Sequence, residues 1–152
     1  MTQRLKPTPA TLATLKPMID FSHYCEVGLE PALCELVKIR ASQINGCARC
    51  LHMHVADARK AGETEERLHL LAGWRESPLY SERERAALEW TEALTHIAET
   101  RAPDEAYAPV KRLFSEEEQI KLTMLIGAIN AWNRLNVGFR IPHPVAAGKR
   151  AA

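Results

Sequence analysis

Ser81 and Ser115 are each followed three residues later by a glutamate, Glu84 and Glu118, and then by a run with apolar residues at helical spacing. In that arrangement hydroxyl and carboxylate reciprocally satisfy backbone N–H groups that a helix start leaves free, so both serines open helices, over about 82–98 and 116–134. The rest of the chain is punctuated in the same way. A helix over about 10–25 carries Pro17 in its early turns, and Gly28 with Pro31 marks a stop and a restart at about 31–44. Asn45 and Gly46 tolerate the left-handed conformation that ends helices, so the chain doubles back there and a third helix runs from Cys47 to before Gly62. Thr64 caps a short fourth helix, "EERLHLLAGW", which the stretch before Pro78 terminates, and Pro103 precedes another over about 104–113. No run of alternating β-branched residues bounded by turns competes with this pattern. The expected fold is all-α, with about six or seven helices and a central helical hairpin.

A chain of 152 residues fits a single domain spanning 1–152, and a domain of that size buries roughly 68 to 70% of its unfolded surface without disulfide staples or a structural metal. Its net charge of +1 provides no broad field for nucleic acid or a membrane surface. The apolar stretch "IKLTMLIGAINAW" contains Lys121 and Asn130 and is too short to span a bilayer. Lys16, Pro17 and Asp20 interrupt any signal-peptide core near the N-terminus. Four cysteines in such a chain point to a reducing, cytoplasmic setting, where a C-x-x-C pair is more often catalytic or metal-binding than a static crosslink.

That pair is Cys47 and Cys50. Positions 47, 50, 51, 54, 55 and 58 share one helix face and hold Cys, Cys, Leu, His, Val and Ala, while Arg49, His52, Asp57, Arg59 and Lys60 lie opposite. Both thiols and His54 therefore face inward, with His54 one turn beyond Cys50. Glu35, on the preceding helix with an inward pattern of 35, 39, 42, 43 and 46, comes level with His54 once the chain doubles back. A thiol of pKa near 8.5 is about 3% thiolate at pH 7. A helix N-terminus, helped by Arg49, favours the thiolate, and lowering the pKa by about two units corresponds to roughly 2.7 kcal/mol. A carboxylate beside an imidazole can then accept, hold and return the proton, and the second cysteine can capture a sulfenic acid before it over-oxidises.

The full spacing, Glu35 then eleven residues, Cys47, two residues, Cys50, three residues and His54, resembles the signature of the AhpD-like alkylhydroperoxidases within the carboxymuconolactone decarboxylase superfamily. The segments "GWRESPLYSERERAALEWTEALT" and "NAWNRLNVGFRIP" are similar to those that follow the cysteine motif in small members, so the resemblance covers a core of about 17–142 and leaves 143–152 as an extended, then frayed, tail. It implies an antioxidant peroxidase that reduces organic hydroperoxides with a dithiol and assembles as a homo-oligomer, a trimer or hexamer. It also implies Cys50 as the attacking sulfur, Cys47 as its resolving partner, Glu35 and His54 as a proton relay, and no cofactor or metal. The reductant would be a separate dithiol, on a lipoyl or thioredoxin-like protein. The residues themselves favour Cys47 for the lower pKa, since it lies nearer the helix end. Arg49 occupies a position where some members carry a histidine, and a guanidinium cannot shuttle protons. The decarboxylases of the superfamily generally lack the cysteine pair.

The rival reading is a non-enzymatic module that binds zinc through Cys47, Cys50, His54 and Glu35, or a helical oligomer whose dithiol senses oxidants without turnover. Cys25 and Cys34 read as small buried hydrophobes. His23, His52, His69, His96 and His143 lack ligand-spaced neighbours, and Trp74, Trp90 and Trp132 read as packing anchors, with Trp74 and Trp132 placed to line the site.

Overall fold

The computed structural model describes residues 2–145, which form eight α-helices and no strand. These are α1 (Pro9–Glu26), α2 (Pro31–Ile44), α3 (Ala48–Lys60), α4 (Glu65–Leu70, continued by a 3-10 turn over Leu71–Gly73), α5 (Glu82–Thr95), α6 (Ile97–Thr100), α7 (Asp104–Leu113) and α8 (Glu116–Gly138). The all-α class is as the punctuation implies, and both capping boxes form, with Ser81 accepting from the Glu84 N–H and Ser115 from the Glu118 N–H. Thr64 caps α4 as expected.

Three boundaries differ from expectation. The helix expected over 82–98 breaks at His96, and α6 then ends where Arg101 and Ala102 take φ values of 57° and 49°. At the break the Ala93 carbonyl accepts a hydrogen bond from Thr100 Oγ1 at 2.6 Å, so the backbone group stays satisfied. This break raises the count above six or seven. The last helix continues to Gly138 rather than stopping near 134, because nothing between Arg134 and Gly138 interrupts it. At the hairpin, Gly46 takes the left-handed conformation with φ 65°, whereas Asn45 stays right-handed with φ −80° and uses its side chain instead. Within the expected tail, residues 143–145 have no regular structure, and 146–152 lie outside the described residues.

Helix α2 is the centre of the molecule, packed against α3, α5 and α8, while α1 lies along α8 and α7 sits on α5. Leu33, Cys34 and Val37 of α2 meet Ala86, Ala87 and Trp90 of α5 and Leu122, Leu125 and Ile126 of α8. Leu36 and Ile39 face a second cluster with Ala58, Leu71, Trp74 and Leu88. The inward stripe expected for α2, at 35, 39, 42, 43 and 46, holds only in part: Ile39 and Ser42 are buried, Glu35 and Gln43 are half-buried, and Gly46 is exposed beyond the helix end. Leu36, Val37, Lys38 and Ala41 are buried as well, because a helix surrounded by three others has no solvent face of ordinary width. On α3 the expected face holds: Cys47, Cys50, His54 and Ala58 are buried, with Leu51 and Val55 half-buried. No helix among the described residues is long and apolar enough to cross a membrane.

Candidate dithiol site

Gly46 turns the chain so that Cys47 becomes the N-cap of α3, with its sulfur accepting the backbone N–H of Cys50 at 3.4 Å. Sulfur here takes the place that Ser or Asp usually occupies at a helix start. Cys47 and Cys50 are joined as a disulfide with Cα atoms 5.4 Å apart. Both are buried against Ala41 at the end of α2 and Ile129 of α8, with Trp132 packed alongside. Asn136 of α8 donates from Nδ2 to Cys50 Sγ at 3.3 Å. Arg49 does not serve the sulfurs as expected: its guanidinium donates to the Pro142 carbonyl at 3.0 Å. Beside it the rings of His52 and His143 stack at 5.1 Å, so the outer face of α3 carries the C-terminal segment.

One turn further along α3, His54 Nδ1 lies 3.0 Å from Oε2 of Glu35 on α2. The other oxygen of Glu35 accepts from Lys38 Nζ at 2.5 Å, and the same ammonium reaches Glu26 Oε1 of α1 at 3.0 Å. The lysine side chain is only 8% exposed. Burial by itself would raise the Glu35 carboxyl, but hydrogen bonds from His54 and Lys38 and the ammonium charge hold it below its ordinary 4.5. Burial would likewise lower Lys38, yet its bond to Glu35 and the charges of Glu35 and Glu26 carry it above its ordinary 10.5. Lys38 and Glu35 thus form a buried ion pair, with the half-buried Glu26 at its outer edge, and such pairing is the condition under which charges persist in a core.

The structure thus brings Glu35 to His54, and Cys47 to Cys50, and places His54 on the same face of α3 as the sulfurs. No hydrogen bond joins His54 to either sulfur among the described residues. Nor does any group of three or more His, Cys, Asp or Glu side chains there converge to hold a metal ion, so the zinc ligand set proposed from spacing is not assembled. Cys25 and Cys34 are free and buried; burial, then the nearby Glu26, pushes the Cys34 thiol up to about 12. Trp132 does pack beside the sulfurs, whereas Trp74 belongs to the Leu36 cluster and donates to Glu92 at 2.7 Å. Spacing alone missed Lys38 and Asn136. A lysine amid Leu36, Val37 and Ile39, three residues after Glu35, was the available signal for the first. Asn136 had none, because its partner lies 86 positions away.

Residues 9–93 match the model of the carboxymuconolactone decarboxylase family. The chain is 41% identical to the uncharacterised protein YdfG of Bacillus subtilis (strain 168), over 100% of this chain and 99% of that one. Its fold superposes with a TM-score of 0.90 on a protein of unknown function from Agrobacterium tumefaciens, described as a candidate antioxidant defence protein AhpD, at 47% identity over 95% of this chain and 99% of that one. The debrominase Bmp8, solved as a cysteine-to-alanine variant in complex with 2,3,4-tribromopyrrole, shares the fold at a TM-score of 0.76 and 18% identity, over 96% of this chain and 94% of that one. By sequence and by fold, the chain belongs to the carboxymuconolactone decarboxylase family as an AhpD-like member.

Proposed function

We propose that the protein is a dithiol peroxidase of the alkylhydroperoxidase type. The observation that carries this reading is the 3.0 Å contact between Glu35 and His54, made across two helices on the α3 face that bears a Cys47–Cys50 disulfide. A disulfide is the oxidised end of such a cycle, and an imidazole held by a carboxylate is a proton-exchanging group. The similarity to the Agrobacterium protein supports the same class.

In the reduced protein, the Cys50 thiolate attacks the terminal peroxide oxygen of ROOH. The O–O bond breaks, Cys50 becomes a sulfenic acid, and the leaving alkoxide takes a proton to give ROH. Cys47 thiolate then attacks the Cys50 sulfur, the S–O bond breaks, and hydroxide leaves as water after protonation. The His54 imidazole carries protons between thiol and leaving group. An external dithiol, on a lipoyl or thioredoxin-like protein, restores both thiols by two exchanges and becomes a disulfide itself. Cys50 is the attacking sulfur in this scheme because it receives the Asn136 N–H, although Cys47 holds the helix cap. The reaction requires reducing surroundings, in keeping with a cytoplasmic setting, and the AhpD-like resemblance favours a homo-oligomer, trimeric or hexameric.

The test is stopped-flow consumption of an alkyl hydroperoxide by the prereduced protein, with thiols counted before and after one equivalent. Loss of two thiols per chain and a mapped Cys47–Cys50 bridge are expected, and Cys50→Ser should abolish the fast phase. An unchanged rate in Cys50→Ser would reject the assignment.

A further inference from the structure

Lys38 is an unusual residue to find where it is. A lysine side chain is rarely buried, and this one sits in the most enclosed helix of the fold with carboxylates from two helices on its ammonium. Replacing it alone by a hydrophobic residue would remove the desolvation cost of one charge and leave the Glu35 carboxylate buried without its ammonium. What the lysine changes is the neighbouring acid. Glu35 presents one oxygen to Lys38 and the other to His54, so its two acceptor oxygens are used in opposite directions.

We propose that Lys38 is a positioning residue of the dithiol site: by clamping Oε1 of Glu35 it fixes Oε2 as a standing acceptor for His54 Nδ1–H, leaving Nε2 of His54 as the nitrogen that exchanges protons with the thiols. The proposal rests on the peroxidase reading only for which reaction those thiols perform. In this arrangement Glu35 does not take up the travelling proton. It holds one tautomer of the imidazole and stabilises the imidazolium once the thiol has given up its proton. Signs then alternate along the cluster, from Glu26 to Lys38 to Glu35 to protonated His54, and the thiolate–imidazolium state is the one with every charge matched.

The ionisable groups facing Lys38 and the Glu35–His54 pair are Glu26 from α1, Cys34 of the same helix, and Asp57 from α3. Glu92 of α5 is engaged with Arg40 and Arg75, and Lys121 of α8 with the Tyr24 carbonyl. Lys38 is thus the cation that faces Glu35. Without it, burial pushes the Glu35 carboxyl upward, its hold on a protonated His54 weakens, and thiolate formation moves to higher pH.

The experiment measures iodoacetamide alkylation of the prereduced protein against pH, with the modified cysteine mapped by mass, for wild type, Lys38→Met and Lys38→Arg. The acid limb of the Cys50 rate is expected to move up by about one pH unit in Lys38→Met and to stay near wild type in Lys38→Arg, which keeps the charge. A folded Lys38→Met with the wild-type profile would overturn the proposal. Nitrogen-15 spectra of the wild-type imidazole give a second readout that depends on no variant: neutral His54 should carry its proton on Nδ1, and an Nε2–H tautomer would overturn the proposal equally. Because alkylation needs no peroxide, a protein that fails to consume hydroperoxide yet shows the shift would refute the peroxidase reading and leave the role of Lys38 standing.

Discussion

Asn136 donates its side-chain amide to the Cys50 sulfur from a helix remote in sequence. A hydrogen bond to a charged acceptor contributes about 1.5–3 kcal/mol, and the sulfur becomes charged only on reduction and deprotonation. Asn136→Leu should therefore slow peroxide attack at Cys50 by about tenfold or more at neutral pH, with partial recovery at alkaline pH where the thiolate forms unaided. Stopped-flow rates from pH 6 to 9 would check this. At this scale the sequence was legible wherever chemistry and spacing coincided within one helix or across one turn. Cys47, Cys50 and His54 lie on the face that periodicity assigns them, and Glu35 meets His54 because a two-residue reversal leaves little freedom in how the two helices align. The contribution of Asn136 was closed to that reading, since no local pattern reports which turn of a distant helix will stop beside a sulfur. Arg49 failed for a related reason. Its charge was visible, but the carbonyl of Pro142 that captures it depends on where the C-terminal segment returns.

Among the elements, the helices opened by Ser81 and Ser115 start where their reciprocal caps place them, whereas the ends of the same two helices, which carry no clear stop signal, fall elsewhere than expected. Ser115 opens the longest helix, α8, and its hydroxyl accepts the Glu118 N–H while the Glu118 carboxylate returns to the Ser115 N–H at 2.7 Å. Ser115→Ala should cost about 1 kcal/mol, seen as a melting temperature lower by about 2–4 °C for a chain of this size, with the dithiol reactivity unchanged because the site lies at the other end of α8. The stripe assigned to α2 matched the buried positions only in part, and the reason is physical. Amphipathic periodicity identifies a helix lying on a surface, whereas α2, enclosed by α3, α5 and α8, is apolar around most of its circumference and shows little period. A charged residue inside such a helix is the exception that calls for partners, and Lys38 has two.

For the whole molecule, acid is the condition to which the fold should be most sensitive. Burial would raise the carboxyls of Glu35, Glu84 and Glu92, but in each case hydrogen bonds and neighbouring cations win and hold the group below its ordinary 4.5. A carboxyl whose folded value is depressed contributes stability in full above its unfolded value, and that contribution is lost as pH falls through the folded value. The melting temperature should hold nearly level on this account from pH 7 to about 5 and decline below 4.5, with a shallower decline in Glu35→Gln and Glu92→Gln. Thermal melts from pH 7 to 3 would check it.

The last constraint is the short seam of amides between α2 and α8. Asn45 Nδ2 reaches Asn130 Oδ1 at 3.0 Å and Asn133 Oδ1 at 2.9 Å, and Asn133 Nδ2 reaches Ser42 Oγ at 3.0 Å. Leucines would allow α8 to slide or roll by a fraction of a turn with little penalty, but these amides would be stranded by any such slip. They act as an index mark that fixes how far along its axis α8 comes to rest, and so which of its turns arrives at the sulfurs. Anyone grafting this thiol pair into another helical scaffold would need to carry Ser42, Asn45, Asn130 and Asn133 with it, four side chains that bond no sulfur.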